Sequence, residues 1–207
     1  MTVSPNRRSV MTLYSDPRQI TSHRIRMVLA EKGITVEIID ANANDPKDEV
    51  HEYNPYGNLP TLVDRDLMLY ESHIINEYLD ERFPHPPLLQ VDPVLRANAR
   101  LYIYRIDQDW VAPMQAIADG AENSEQLRKQ LRESLISAAP IFAAHPYFMS
   151  EELTLVDCNI APLLWRLPMV GVKLPTQAKP ILEYAARIFK RKSFQESLTE
   201  LEKEMRS

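Results

Sequence analysis

The first half of the chain alternates short β-type runs with segments of helical spacing. Four runs rich in aliphatic and β-branched residues predict strands: 9–14, 35–40, 59–64 and 66–70. Three segments whose apolar residues recur with helical spacing predict helices: 22–32, 47–53 and 71–83. The predicted order is therefore βαβαββα, and the last two strands form a hairpin around a polar turn.

The second half of the chain has helical periodicity throughout. Apolar spacing predicts five helices: 93–117, 125–142, 155–167, 180–190 and 194–205. We expect an α+β protein with two domains: an N-terminal βαβαββα domain over 9–86 and an all-helical domain over 92–207. The proline-rich stretch FPHPPLL lies at the boundary between them.

One carboxylate in the helical half invites a catalytic interpretation. Thr154 and Asp157 have the spacing of a capping box, in which the hydroxyl and the carboxylate accept from each other's backbone N–H groups. The cap explains both residue type and spacing, so we favour a structural role for Asp157.

The composition of the chain argues against two classes of function, nucleic-acid binding and membrane association. The chain has 207 residues, 44% hydrophobic and 26% charged, with a formal net charge of −5. That charge argues against a nucleic-acid binder driven by phosphate neutralisation, and we expect no direct sequence-specific nucleic-acid contact. The segment 1–10 has no apolar leader region, and no apolar run approaches the roughly 18 residues that span a bilayer. We therefore expect a cytoplasmic protein without membrane contact.

Metal and disulfide chemistry are not expected. Cys158 is the single cysteine, which excludes an intramolecular disulfide, and its apolar context favours a small buried side chain. Four histidines, His23, His51, His73 and His145, have no metal-ligand spacing with one another. We predict no metal and no cofactor.

The segment NPYGNLPTLVDRDLMLYES, together with the predicted order of elements, resembles the glutathione transferase superfamily. The resemblance implies a thioredoxin-like N-terminal domain with Pro60 in a cis peptide bond. It also implies a glutathione-like pocket in which the Leu59 backbone pairs with the cysteinyl group and Glu71 and Ser72 hold the γ-glutamyl group. Fold maintenance is the alternative, since Pro60 fixes a turn and Glu71 and Ser72 favour a helix start.

The residue that activates the thiol separates these alternatives. Members of the superfamily carry Tyr, Ser or Cys before the first helix, and alignment on that helix's arginines brings Gln19 to this position. A glutamine amide cannot become a nucleophile. We therefore expect no catalytic residue and a vestigial pocket. The rival, a glutathione-dependent transferase or reductase, would need Ser15, Thr21 or Ser22.

Within the superfamily, the segments RSVMTLYS, VLAEKG, EYLDERFPHPPLL and LVDCNIAPLLWRLP resemble the stringent starvation protein A family. The resemblance implies a non-enzymatic homodimer that associates with RNA polymerase holoenzyme, including its primary sigma factor. It would regulate transcription in stationary phase and stress. It also implies that Pro84, His85 and Pro86 form the surface motif that contacts the polymerase.

The chemistry of that motif suits recognition. Each proline fixes its own φ and drives the preceding residue out of the helical region, so the helix must stop. We expect a stiff, polyproline-like strut that presents the His85 imidazole at a fixed position. The alternative is a simple helix stop and interdomain linker in which His85 is an exposed passenger.

Overall fold

The computed structural model describes residues 10–45 and 47–206, and these form two compact units. The first contains the chain up to Pro86 together with Glu196–Glu202, and the second contains Pro87–Gln195 with the residues from Lys203 onward. The sequence assigns Glu196–Glu202 to the helical domain, so the first unit includes a segment that we did not expect there. Residues 1–9, which include Ser9 of the first predicted strand, and Ser207 lie outside the described residues.

The first unit is a mixed four-stranded sheet with helices. Its elements are β1 Thr12–Ser15, α1 Ile20–Lys32, β2 Glu37–Asp40, α2 Val50–Tyr53, β3 Thr61–Asp64, β4 Leu67–Tyr70 and α3 Ser72–Arg82. The strand order is β2-β1-β3-β4, with β1 and β2 parallel and the other pairs antiparallel. Leu13 of β1 pairs with Ile38 on one side and Leu62 on the other. The predicted βαβαββα order is confirmed.

The second unit is helical, as predicted. The helices beyond the first unit's α3 are α4 Pro93–Ile106, α5 Ala112–Ala118, α6 Ser124–Ala144, α7 Leu155–Arg166, α8 Lys179–Phe189, α9 Lys192–Ser197 and α10 Glu200–Glu204. A π-helical turn, Asp107–Val111, joins α4 to α5. Pro113 lacks the N–H that an α-helix would donate to Asp109, which accounts for the wider turn at this point. No helix in the described part of the chain is long and apolar enough to cross a membrane.

Asp157 is a structural carboxylate, as the cap predicts. It is fully buried and accepts from the Thr154 and Phe148 backbone N–H groups, each at 2.8 Å, and from the Tyr184 hydroxyl at 2.6 Å. Burial raises the pKa of Asp157, and burial beside this carboxylate raises the pKa of Tyr184 well above its usual range. The carboxylate therefore joins the start of α7 to the preceding loop and to α8.

The segment 194–205, predicted as one helix, forms parts of two. The break falls before Thr199, whose hydroxyl accepts from the Glu202 backbone N–H at 3.2 Å while the Glu202 carboxylate accepts from the Thr199 N–H at 2.9 Å. This reciprocal cap starts a new helix, α10, within the predicted one.

Glu202 also fastens α10 to α1 within the first unit. Its fully buried carboxylate lies 2.6 Å from an Arg26 guanidinium nitrogen and 3.4 Å from His23 Nδ1. Arg26 further donates to the Ser197 carbonyl at 3.0 Å and to the Ser15 hydroxyl at 2.5 Å. A buried charge of this kind is tolerated only when it is paired and hydrogen-bonded, so the cluster requires all of its members.

Replacement of Glu202 by Ala should lower the free energy of unfolding by about 3–5 kcal/mol, because it leaves the Arg26 charge buried without its carboxylate. Thr199→Ala removes only the capping hydroxyl and should cost about 1 kcal/mol. Urea unfolding of the two variants measures the difference. Equal, small losses in both would contradict the role assigned to Glu202.

Candidate functional site

The start of α1 is where the superfamily places its activating residue. Gln19 is the N-cap of α1, with extended backbone angles and no capping hydrogen bond from its side chain. The side chain is partly exposed. An amide at this position can donate and accept hydrogen bonds, but it offers no ionisable group.

The neighbouring hydroxyls are engaged in the fold. Ser15 is fully buried and receives a hydrogen bond from Arg26, and Ser22, also buried, accepts from the Asp16 backbone N–H at 3.0 Å. Tyr14 is fully buried in β1, and its ring lies 5.5 Å from that of Tyr53. Ser15 and Ser22 therefore act as structural hydrogen-bond partners in this unit.

Thr21 links Gln19 to the segment that precedes β3. Its hydroxyl lies 3.3 Å from the Gln19 side-chain oxygen and 3.5 Å from the Leu59 carbonyl oxygen. The Leu59–Pro60 peptide bond is cis, and both residues are buried. Gln19, Leu59 and Pro60, three of the residues predicted for the glutathione-like pocket, thus belong to one neighbourhood.

Glu71 and Ser72 lie at the start of α3. Glu71 is exposed and has a positive φ of 72°, and its carboxylate accepts from the Asn58 side chain at 3.3 Å. Ser72 is the first residue of α3 and is 4% exposed. Since Asn58 directly precedes Leu59, the side-chain contact connects Glu71 to the cis-proline segment.

These residues place several hydrogen-bonding groups near the start of α1, and the side chain at the predicted activating position is an amide. An amide, a threonine hydroxyl and a helix N-terminus can bind an anionic or amide-bearing ligand by hydrogen bonding. Among residues 10–45 and 47–206, no group of three His, Cys, Asp or Glu side chains could hold a metal ion.

The second predicted site, Pro84-His85-Pro86, follows the end of α3. All three residues are exposed. The chain bends at His85 and Pro86, and the peptide bond between them is cis. The segment is therefore a bent loop, and the straight polyproline-like strut that we expected is wrong in this detail. A bent loop still presents the imidazole between two proline rings.

A single ammonium group holds both ends of this loop. Lys32 Nζ, at the end of α1, donates to the Phe83 carbonyl at 2.6 Å and to the Pro86 carbonyl at 2.7 Å, and lies 2.8 Å from an Asp80 carboxylate oxygen. The Lys32 side chain is 0% exposed. Since an ammonium has three donors, these contacts use all of them.

A groove of about 500 Å³ lies beside His85 and is formed within the first unit. Its walls are the α1–β2 turn, the residue before β1, and residues 83–86, which we call the proline loop. The lining includes Met11, Ile34, Phe83 and Pro84. The imidazole of His85 thus stands at the edge of a largely apolar depression.

Sequence reasoning missed Lys32 and did not predict the contacts of Thr21 with Gln19 and Leu59. Thr21 was considered only as a substitute nucleophile. Lys32 is a basic residue in the last turn of α1, directly before Gly33. The charge of a lysine at such a position is normally stabilised by solvent and by the helix dipole. Nothing local to Lys32 indicates that its ammonium is buried, because the acceptors lie about fifty residues further along the chain.

Comparisons with known proteins agree with the two-domain fold. The model of the glutathione S-transferase N-terminal domain matches residues 9–81, and that of the glutathione S-transferase C-terminal domain matches residues 95–192. The Tau class glutathione S-transferase of mango superposes with a TM-score of 0.81 at 25% identity, covering 94% of this chain and 95% of that one. The Omega 3C glutathione transferase of Trametes versicolor gives a TM-score of 0.82 at 23% identity, covering 93% and 90%.

Sequence relatives show which family within the superfamily the chain resembles most in sequence. The stringent starvation protein A homolog of Coxiella burnetii is 52% identical over 202 residues, which is 97% of each chain. The homolog of the same name in Haemophilus influenzae is 49% identical over 97% of this chain and 95% of its own. With a thioredoxin-like N-terminal domain and a helical C-terminal domain of the glutathione transferase fold, the chain belongs to the stringent starvation protein A family.

Proposed function

We propose that this protein is a cytoplasmic, non-enzymatic transcription regulator that binds RNA polymerase holoenzyme through the loop Pro84-His85-Pro86, with the primary sigma factor as the contacted subunit. The family's name supports a role in starvation or stress. The observation that carries the proposal is the exposed imidazole of His85 in a loop whose two ends are fixed by Lys32.

The energetics of this loop favour recognition. Ordering one backbone residue costs about 1–2 kcal/mol, and a loop held by prolines and by a buried ammonium has already lost that freedom. His85 offers hydrogen-bonding nitrogens, and the groove beside it offers apolar surface. A partner that inserts an apolar side chain into the groove and hydrogen-bonds the imidazole would meet little entropic penalty.

The protein is proposed to act as a homodimer. One face of α4 supports self-association, because it carries three large apolar side chains that are about half or more exposed: Val94, Leu101 and Tyr104. Contiguous exposed apolar surface on a soluble domain is typical of an interface. A second copy of the chain is the partner that the family resemblance implies.

The rival function is a glutathione-dependent transferase or reductase. The pocket neighbourhood around Gln19, Leu59 and Glu71 favours it to the extent that a ligand could still bind there. Against it stand the amide at position 19 and the structural engagement of Ser15 and Ser22. Thr21 remains the hydroxyl that the rival would have to use.

Replacement of His85 by Ala, alone or with both prolines changed to Ala, should abolish co-purification of RNA polymerase holoenzyme from stationary-phase lysate. The matched control is His145→Ala, because His145 is also exposed and also precedes a proline, Pro146. Pull-down with quantification of the sigma factor measures binding, and sedimentation checks that each variant keeps the oligomeric state of the wild type. Holoenzyme recovery by the His85 variants at the wild-type level would remove the proposal.

Lys32→Met should weaken polymerase binding although the three surface residues are untouched, because the loop loses the donor that ties its ends together. The same change leaves the Asp80 carboxylate nearly buried without its cation and should lower the free energy of unfolding by about 3–5 kcal/mol. Lys129→Met removes an exposed pair and should cost less than about 1 kcal/mol. Urea unfolding and the same pull-down test both effects. A Lys32→Met protein as stable as the Lys129→Met protein would disprove the structural role.

Wild-type protein should not conjugate glutathione to an electrophile, even where a glutathione affinity column retains it. The reason is that Gln19 supplies no group able to activate a thiol. An absorbance assay of conjugation, with an authentic glutathione transferase as positive control, measures turnover. Retention on the column together with turnover would favour the rival enzyme.

A further inference from the structure

The second unit contains a groove that neither the proline loop nor the glutathione-like pocket uses. It has a volume of about 340 Å³ and lies between the end of α7, the loop after it and α8. Its walls are mainly aliphatic: Leu164, Leu167, Val172, Leu174, Ile181 and Leu182. The volume falls near the lower end of the roughly 300–1,000 Å³ typical of small-molecule sites.

Two cationic residues complete the lining, Lys173 and Arg206. Lys173 is exposed. Arg206 is held in place by hydrogen bonds from Nε to the Trp165 carbonyl and from Nη2 to the Leu164 carbonyl, both at 2.8 Å. The Leu164 carbonyl lacks its usual helical donor, because the residue four positions later is Pro168. Arg206 supplies the missing donor and is thereby oriented.

Aromatic rings fix the same guanidinium from the side. Its central carbon lies 4.8 Å from the ring centroids of both Trp165 and Phe189, which pack edge to face against each other at 4.9 Å. Cation–π contacts of this kind add to the restraint. Arg206 is therefore a preorganised cation, and a ligand that binds it does not have to immobilise a flexible side chain.

The charge of Arg206 is not neutralised by the described part of the chain. Its hydrogen bonds there go to carbonyl oxygens, and it has no carboxylate partner among residues 10–45 and 47–206. Arg206 is exposed at one side, and the partial burial of its guanidinium lowers the pKa of Arg206. A partly desolvated guanidinium in this situation gains most from an anion.

We propose that this groove binds an amphipathic carboxylate of the fatty-acid type, with the alkyl chain between α7 and α8 and the carboxylate at Arg206 and Lys173. An aliphatic wall with cations at one side is complementary to a ligand with an apolar tail and a single anionic head. A purely apolar ligand or an apolar helix of another protein would leave the guanidinium without a counter-charge.

Calorimetric titration of the full chain with decanoate, below its micellar concentration, tests the proposal. Wild-type protein should bind decanoate saturably. Arg206→Gln keeps an amide donor for the α7 carbonyls but loses the charge, so decanoate binding should weaken about tenfold. Arg132→Gln, at an exposed arginine outside the groove, is the matched control and should bind like the wild type.

Two further measurements separate a groove site from non-specific adsorption. Ala186→Trp places a large ring at an exposed position of the groove wall and should abolish decanoate binding without affecting the core. Decanol, which lacks the carboxylate, should bind the wild type more weakly than decanoate does. Its affinities for the wild type and for Arg206→Gln should be equal. Absence of saturable binding would overturn the proposal. The groove would then be interpreted as a docking site for an apolar helix of a protein partner. Equal binding by the wild type and Ala186→Trp, or equal losses in Arg206→Gln and Arg132→Gln, would also overturn it.

Discussion

The proline loop depends on one buried ammonium. Lys32 cannot remain charged and shielded from water unless each of its donors has an acceptor, and the acceptors available are the carbonyls at the two ends of the loop and the Asp80 carboxylate. The desolvation penalty therefore dictates the path of residues 83–86. The same path turns the His85 imidazole outward, so the stability of the interior and the presentation of the surface motif have a common cause.

The N-terminal unit retains the architecture of a thiol-binding fold while offering no ionisable side chain at the expected activating position. The cis bond before Pro60, the hydroxyl of Thr21 and the contact between Asn58 and Glu71 still organise the neighbourhood. Ser15 meanwhile accepts from Arg26 and so belongs to the buried cluster that holds the C-terminal segment. The hydroxyl of Ser15 thus contributes a hydrogen bond to this part of the fold.

Regular patterns predicted most of the architecture. The alternation of β-type and helical segments was sufficient for the βαβαββα order, and the spacing of Thr154 and Asp157 was sufficient for the cap of α7. The same capping signal at Thr199 and Glu202 was overlooked, because apolar periodicity continues through it. Pro113 is a second signal that was overlooked, because the turn after α4 interrupts the single helix predicted over 93–117.

Other features had no local signal. Ile74 is an apolar residue of the helix that helical spacing predicts over 71–83, yet it is 53% exposed. Lys32 resembles a solvated helix end but is buried. The burial of Lys32 depends on contacts with residues distant in sequence, which a periodic pattern does not encode. The bend at His85 depends in the same way on Lys32.

The attachment of Glu202 to α1 has a consequence for synthesis. Arg26 and its carboxylate partner are separated by 176 positions, which at about 5–20 residues per second corresponds to roughly ten seconds or more of translation. Throughout that interval the nascent N-terminal unit carries a guanidinium whose counter-ion has not yet been made. Its first helix must stay hydrated or be shielded by a chaperone until the ribosome has delivered the C-terminal segment, so the buried ion pair of this unit forms only when synthesis of the chain is nearly finished.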